Sequence, residues 1–255
     1  MALAWVLDRI WDLREAPGRG HVQRDTRLAF LRDEVKHLAD SPDDYLLSLF
    51  RGSMGASNPS RRDGYGVMAL LGAFGGLRFG EVAALRRSDF DFDRSEISVS
   101  RTLTEVSGRI EFGPPKTAGS RRVVTLPDEI RHALGLHSEH QETRIEELRE
   151  RSPSEKVSPT VHDTDPLLFT TSRGSPISRT RFRNRVWERA VSFLELKPRP
   201  TFHDLRHSHA AWLIAAKIPD KWIQVRMGHS SIRTTLDVYG HPTGDFDRQA
   251  AEALS

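Results

Sequence analysis

Cysteine is absent from the 255-residue chain, which excludes disulfide staples, thiol nucleophiles and cysteine-based zinc sites together. Long apolar runs are missing too. No segment approaches the roughly 18 uninterrupted apolar residues of a membrane span, and Asp8, Arg9 and Asp12 break up the only apolar N-terminal stretch. A soluble, non-secreted, cytoplasmic protein with no membrane partner is the expectation. No G-x-x-x-x-G-K-[ST] phosphate loop occurs, so nothing points to ATP chemistry. Tyrosine is scarce, with Tyr45, Tyr65 and Tyr239 its three instances. What is present suffices for a core: 37% of residues are hydrophobic and 29% charged, which excludes disorder throughout. The length allows one large domain, or a medium one with a fragment of another.

Charge is nearly balanced at +3, but unevenly placed. Residues 173–200 carry eight cations against Glu188 and Glu195, while residues 139–156 carry six glutamates against four cations. Lysine and arginine gain affinity for a phosphate backbone by releasing condensed counterions, so the first stretch suits nucleic acid. A solvated helix face is the plainer alternative.

Apolar spacing predicts helices at about 3–14, 28–38 and 43–50, then a loop rich in glycine, serine, asparagine and arginine over 52–66. A helix from near Asp63 to Phe74 ends at Gly75-Gly76, and a short one follows over Gly80–Leu85. Alternation at Ile97, Val99 and Leu103 predicts one strand, Ile110 and Phe112 a second after a Ser107-Gly108 turn, and Arg122–Leu126 a third. The intervening loop presents Lys116. From Pro127 the pattern is helical to about Arg149, and 152–166 reads as a polar linker. Further helices are expected at Ser178–Leu194, Phe202–Ala216, Pro219–Met227, Ile232–Tyr239 and Asp245–Leu254. The fold class is therefore mainly α with a small antiparallel β-sheet, α+β, without internal repeats.

The densest polar cluster is Thr201-Phe202-His203-Asp204-Leu205-Arg206-His207-Ser208-His209. On a helix His203 and Arg206 stand three apart and share a face, where an imidazole and a forked guanidinium can hold a phosphate. His203 and His207, four apart, could instead bind a metal. Yet Asp204 stands where a zinc protease motif has glutamate, and no third ligand has an obvious place, so no metal site is assigned. Gly228-His229-Ser230-Ser231-Ile232 places a histidine at a helix break, with Tyr239 ten residues on. Upstream, Gly76-Leu77-Arg78-Phe79-Gly80-Glu81 puts an arginine in a tight turn beside a carboxylate. Taken singly, Arg78 with Glu81 is an ordinary helix-start ion pair and Lys116 an ordinary loop lysine.

Taken together and in this order, the G-L-R-x-G-E turn, the hairpin-loop lysine, H-x-L-R-H, G-H-S-S-I and a tyrosine before Gly240-His241 resemble the tyrosine recombinase (phage integrase) family, from about Leu28 to the C-terminus. The resemblance implies a tyrosine recombinase catalytic-domain-like fold and a site-specific recombinase that cuts and rejoins DNA through a covalent 3′-phosphotyrosine. It implies that Arg78 and Arg206 clamp the scissile phosphate, and that His203 assists proton transfer. His229 would hydrogen-bond the phosphate, Lys116 protonate the leaving 5′ hydroxyl, and Tyr239 attack, with Glu81 holding Arg78 from behind. No cofactor is implied. Double-stranded DNA is the implied partner, as is a homo-oligomer, a tetramer on DNA. The basic run with Arg179, Arg181, Arg183 and Arg185 is the candidate for DNA-backbone contact.

Family members carry an N-terminal helical domain that closes on DNA from the opposite side, and residues 1–27 resemble only its last helix and linker, leaving 28–255 as the catalytic domain. Two alternatives follow: a truncated, recombination-deficient remnant that binds DNA or a partner integrase, and a relaxing type IB topoisomerase.

Overall fold

The computed structural model describes residues 64–115, 118–150, 157–193 and 199–229. The helices expected at 3–14, 28–38, 43–50, 232–239 and 245–254 lie outside the described residues, as do Lys116 and Tyr239.

Helix α1 (Tyr65–Phe74) opens after Gly64 in the left-handed region and is buried over most of its length, from Val67 to Ala73. Gly75 and Gly76 end it, Gly76 at φ +64°, and the short α2 (Phe79–Ala83) follows at once. Five strands come next: β1 (Phe90–Asp91), β2 (Glu96–Val99), β3 (Thr102–Val106), β4 (Arg109–Gly113) and β5 (Arg122–Thr125). The α+β class holds, but the strand material divides into two antiparallel sheets, β1-β2-β5 and β3-β4. The single strand expected across Ile97–Leu103 is therefore two. At the break Arg101 donates to the carboxylate of buried Asp89 at 2.8 Å, a contact between residues twelve apart that holds the chain where it leaves the first ladder. The Ser107-Gly108 turn is borne out. Both residues have positive φ, as a two-residue hairpin between paired Val106 and Arg109 requires.

Helix α3 (Asp128–Arg149) carries acids in its first turn and Arg149 in its last, complementing the helix dipole. The expected linker after it is partly structured. A 3₁₀ turn, Pro159–His162, buries Val161 against Ile145 and Leu148. The helix expected over 178–194 is α4 (Arg179–Phe182) and α5 (Glu188–Phe193) joined by a π-turn, Arg183–Trp187. Helices α6 (Phe202–Ala215) and α7 (Asp220–Met227) complete the described chain.

The main core gathers α1, α2, the first sheet and α3 around Met68, Leu71, Leu77, Ile97, Ile130 and Leu134. At its edge Phe79, Phe182, Trp187 and Phe202 form an aromatic cluster, with Phe79 5.0 Å from Phe182 and 5.5 Å from Phe202 between ring centroids. Three of them are chain neighbours of polar residues singled out above: Phe79 follows Arg78, Phe202 precedes His203, and Phe182 lies between Arg181 and Arg183. Burying one such ring stabilises the fold by about 1.5–3 kcal/mol, so the polar segments are anchored by their apolar neighbours. No helix among the described residues is long and apolar enough to cross a membrane.

Candidate functional site

The G-L-R-x-G-E segment makes a self-contained turn. Arg78 is extended at the N-cap of α2, and Glu81 reaches back to accept from the Arg78 backbone N–H at 2.9 Å and its Nη1 at 2.8 Å. The Arg78 side chain stays 37% exposed while Glu81 is 2% exposed. The carboxylate has a second cation, Arg122 of β5, whose Nη2 and Nη1 donate to its two oxygens at 2.9 and 3.2 Å. Burial by itself would raise the Glu81 carboxyl. The hydrogen bonds and charges of Arg122 and Arg78 outweigh burial and hold it at about 2.

Arg206 is 2% exposed. Helix α6 is started by a capping box, in which Asp204 accepts from the Thr201 N–H at 2.7 Å and its hydroxyl at 2.8 Å. One turn in, Arg206 donates through Nη1 to the Gly76 carbonyl and through Nη2 to the Met227 carbonyl. Its guanidinium thus ties the turn before Arg78 to the end of α7, just before His229.

Three histidines surround these cations in different settings. His203 is exposed over much of its surface, with its ring edge-on to His207 at 4.7 Å between centroids. Partial burial of the ring, then His207, Arg206 and Arg78, push it down to about 4 against the pull of Asp204. His229, directly after the left-handed Gly228 that caps α7, is lowered to about 4 by burial and then by Arg206, Arg78 and Arg122. Both rings are neutral at pH 7 and feel the same two arginines. His209 is fully interior. Arg226 Nε donates to its Nε2 at 3.0 Å, which leaves Nδ1 carrying the proton toward the Ala73 carbonyl 2.9 Å away. Burial and Arg226 hold His209 down at about 3. Among the described residues no group of three or more His, Asp or Glu could hold a metal.

The structure therefore brings together Arg78, Glu81, His203, Arg206 and His229 from segments far apart in the chain. Arg179, Arg181, Arg183 and Arg185 are all exposed, and Phe182, Val186 and Trp187 on the same stretch are buried. Trp187 Nε1 donates to the Pro200 carbonyl at 2.8 Å, fixing the basic helix to the entry of α6. Glu105 of β3 accepts from the Ser178 hydroxyl at 3.0 Å and the Thr180 N–H at 3.1 Å, which docks the β3-β4 hairpin on the same helix. Sequence reasoning missed Arg122 and Arg226. Their only sequence signal is a cation at the first position of a strand and one in the last turn of a helix, and neither position names its partner.

Buried neutral histidines make stability depend on pH. His137 stacks on Phe169, hydrogen-bonds the Leu168 carbonyl at 2.8 Å and is lowered by burial to about 4. Below about 6.5 the unfolded chain takes up protons that folded His137 and His209 refuse, so the stability they confer is full above that pH and is lost as pH falls toward their folded values. Urea melts at pH 7 and pH 5 should differ by about 1–2 kcal/mol per histidine. His137→Gln should flatten that slope; an unchanged slope would refute the assignment.

The chain is 31% identical over 185 residues to the integrase of Staphylococcus phage L54a, covering 71% of this chain and 49% of that protein. It is 32% identical over 183 residues to the ICEBs1 integrase of Bacillus subtilis strain 168, covering 70% and 45%. The chain thus spans about half the length of the curated relatives it matches. The same fold occurs in the Tn1549 transposon integrase solved in complex with circular intermediate DNA, with a TM-score of 0.62, 24% identity, and coverage of 84% of this chain and 66% of that one. The phage integrase family model matches residues 55–244, a span containing every residue of the pocket just described, and the chain belongs to the phage integrase family.

Proposed function

We propose that this chain cuts and rejoins double-stranded DNA as a site-specific tyrosine recombinase, with residues 28–255 as its catalytic unit and residues 1–27 as the end of a DNA-clamping domain. The observation that carries the reading is the Arg206 guanidinium, interior, held by carbonyls of two distant segments and set among Arg78, His203 and His229. A phosphodiester anion repels an incoming phenolate. Fixed guanidiniums offset the charge that accumulates on the non-bridging oxygens as phosphorus becomes five-coordinate. Arg78 and Arg206 supply that charge.

In this reading the Tyr239 oxygen forms a bond to phosphorus as the bond from phosphorus to the 5′ oxygen breaks. The phenolic proton passes toward His203, and Lys116 delivers a proton to the departing 5′ oxygen. A free phenol titrates near 10, and the same cations favour its phenolate. His229 and His203 are neutral without substrate because burial of the rings, and then the charge of the neighbouring arginines, disfavours a further positive charge. An arriving phosphate anion offsets that repulsion and lets His229 donate to a phosphate oxygen. The phosphotyrosine conserves the energy of the broken bond, and rejoining reverses the step. The exposed row Arg179, Arg181, Arg183 and Arg185 lies along the flanking backbone, and the working form on DNA is a homo-oligomer, a tetramer.

The test is a nicked suicide duplex drawn from DNA flanking the reading frame, from which the 5′ fragment diffuses away. A covalent adduct should appear on a denaturing gel, with the modified peptide containing Tyr239. Absence of an adduct across such substrates would sink the enzymatic reading in favour of a DNA-binding remnant.

A further inference from the structure

We propose that Arg122 is a positioning residue for strand cleavage, a single guanidinium that ties together the Arg78–Glu81 turn, the Ala118–Ser120 turn and the end of α7 before His229; this rests on the strand-cleavage reading above. Its side chain is 3% exposed. Nη2 and Nη1 take both oxygens of Glu81, the carboxylate that orients Arg78. Nη1 also donates to the Ser120 carbonyl at 3.1 Å, in the 3₁₀ turn Ala118–Ser120, four residues after Lys116 in the sequence. Nε donates to the Arg226 carbonyl at 2.8 Å, in the last turn of α7, three residues before His229.

Each contact uses a different edge of one rigid plane, which a guanidinium can do and an ammonium cannot. The neighbouring backbone is shaped for it. Gly228 sits at φ +62°, and a Cβ there would stand 3.1 Å from Arg122 Nη1 and 3.2 Å from both its Cδ and Ser120 Cα. A side chain at 228 would push the strand and the α7 end apart.

Glu81 receives donors from Arg122 and from Arg78 alike, so its orientation is set by both. Without Arg122, the buried Glu81 carboxylate would keep Arg78 as its ion-pair partner and draw that guanidinium inward. The phosphate would then meet a misplaced cation. A misplacement of about 1 Å can cost about 10²-fold in rate.

The experiment compares wild type, Arg122→Lys and Arg122→Gln on the suicide duplex, in single turnover, with an ordinary scissile phosphate and with each diastereomer of a neutral methylphosphonate. On phosphate both variants should cleave about 10²-fold slower while binding the duplex with unchanged affinity in a gel-shift assay. On the methylphosphonate lacking the oxygen that faces Arg78, the deficit should shrink to about threefold, because the interaction that Arg122 positions is no longer there to lose. A merely structural role would lower both substrates equally. Equal losses on the two substrates, wild-type rates on phosphate, or loss of native circular dichroism in both variants would each overturn the assignment. Failure of the wild type to form an adduct would instead overturn the strand-cleavage reading on which it rests.

Discussion

Arg206→Lys is expected to slow adduct formation by about 10²–10³-fold and to destabilise the protein at the same time. The guanidinium spans the Gly76 and Met227 carbonyls, which lie 130 and 21 residues away in sequence. An ammonium has no planar fork and cannot reach both from one position. One carbonyl then stays buried without a donor, at a cost of about 1–3 kcal/mol, and the ammonium loses more hydration than its remaining partner returns. The Gly76 turn and the α7 end are then no longer held in register, so Arg78 and His229 shift relative to the phosphate. Single-turnover cleavage and urea melts of the same preparation separate the two losses. A rate within about tenfold of wild type would show that Arg206 is a structural cation and leave Arg78 as the main clamp.

Gly76→Val should be almost as damaging by a different route. Gly76 has φ +64°, where a β-branched side chain is strained, and a Cβ there would stand 2.7 Å from His209 Cδ2 and 3.0 Å from Met227 Sδ. Backbone strain and overpacking together come to about 3–5 kcal/mol. His209 cannot give way cheaply, being held at both ring nitrogens by Arg226 and the Ala73 carbonyl. Because the Gly76 carbonyl is also an acceptor for Arg206, cleavage should fall further than the folded fraction does. Gly76→Ala, with the same φ and clash but no branching, should show a milder version of both effects. Native stability in the valine variant would refute the close approach.

The helices around the pocket were legible because apolar periodicity and punctuation agree. Gly75-Gly76 ends α1, Thr201 with Asp204 starts α6, and Gly228 closes α7 in the left-handed conformation. The two-residue turn at Ser107-Gly108 was legible for the same reason, since its chemistry is local. The division of the strands into two sheets was not. It depends on Arg101 finding Asp89, twelve residues back, and no local propensity encodes that choice. The π-turn through Arg183–Trp187 was likewise hidden, because its apolar spacing is compatible with an unbroken α-helix.

By itself the sequence determined which chemical groups are available and in what order: Arg78 and Glu81 in one turn, His203 and Arg206 one turn of helix apart, His229 at a helix end, and Tyr239 beyond it. It determined these because each motif is short enough for its neighbours to shape it, and together they name the family. Only the tertiary structure decided the state of those groups. It sank Arg206 into the interior, bound Glu81 to Arg122 from 41 residues away, and made His203, His209 and His229 neutral. The physical reason is that burial and charge are sums over everything nearby in space, and here the partners come from α1, α2, β5, α6 and α7, which are adjacent only after the chain has folded.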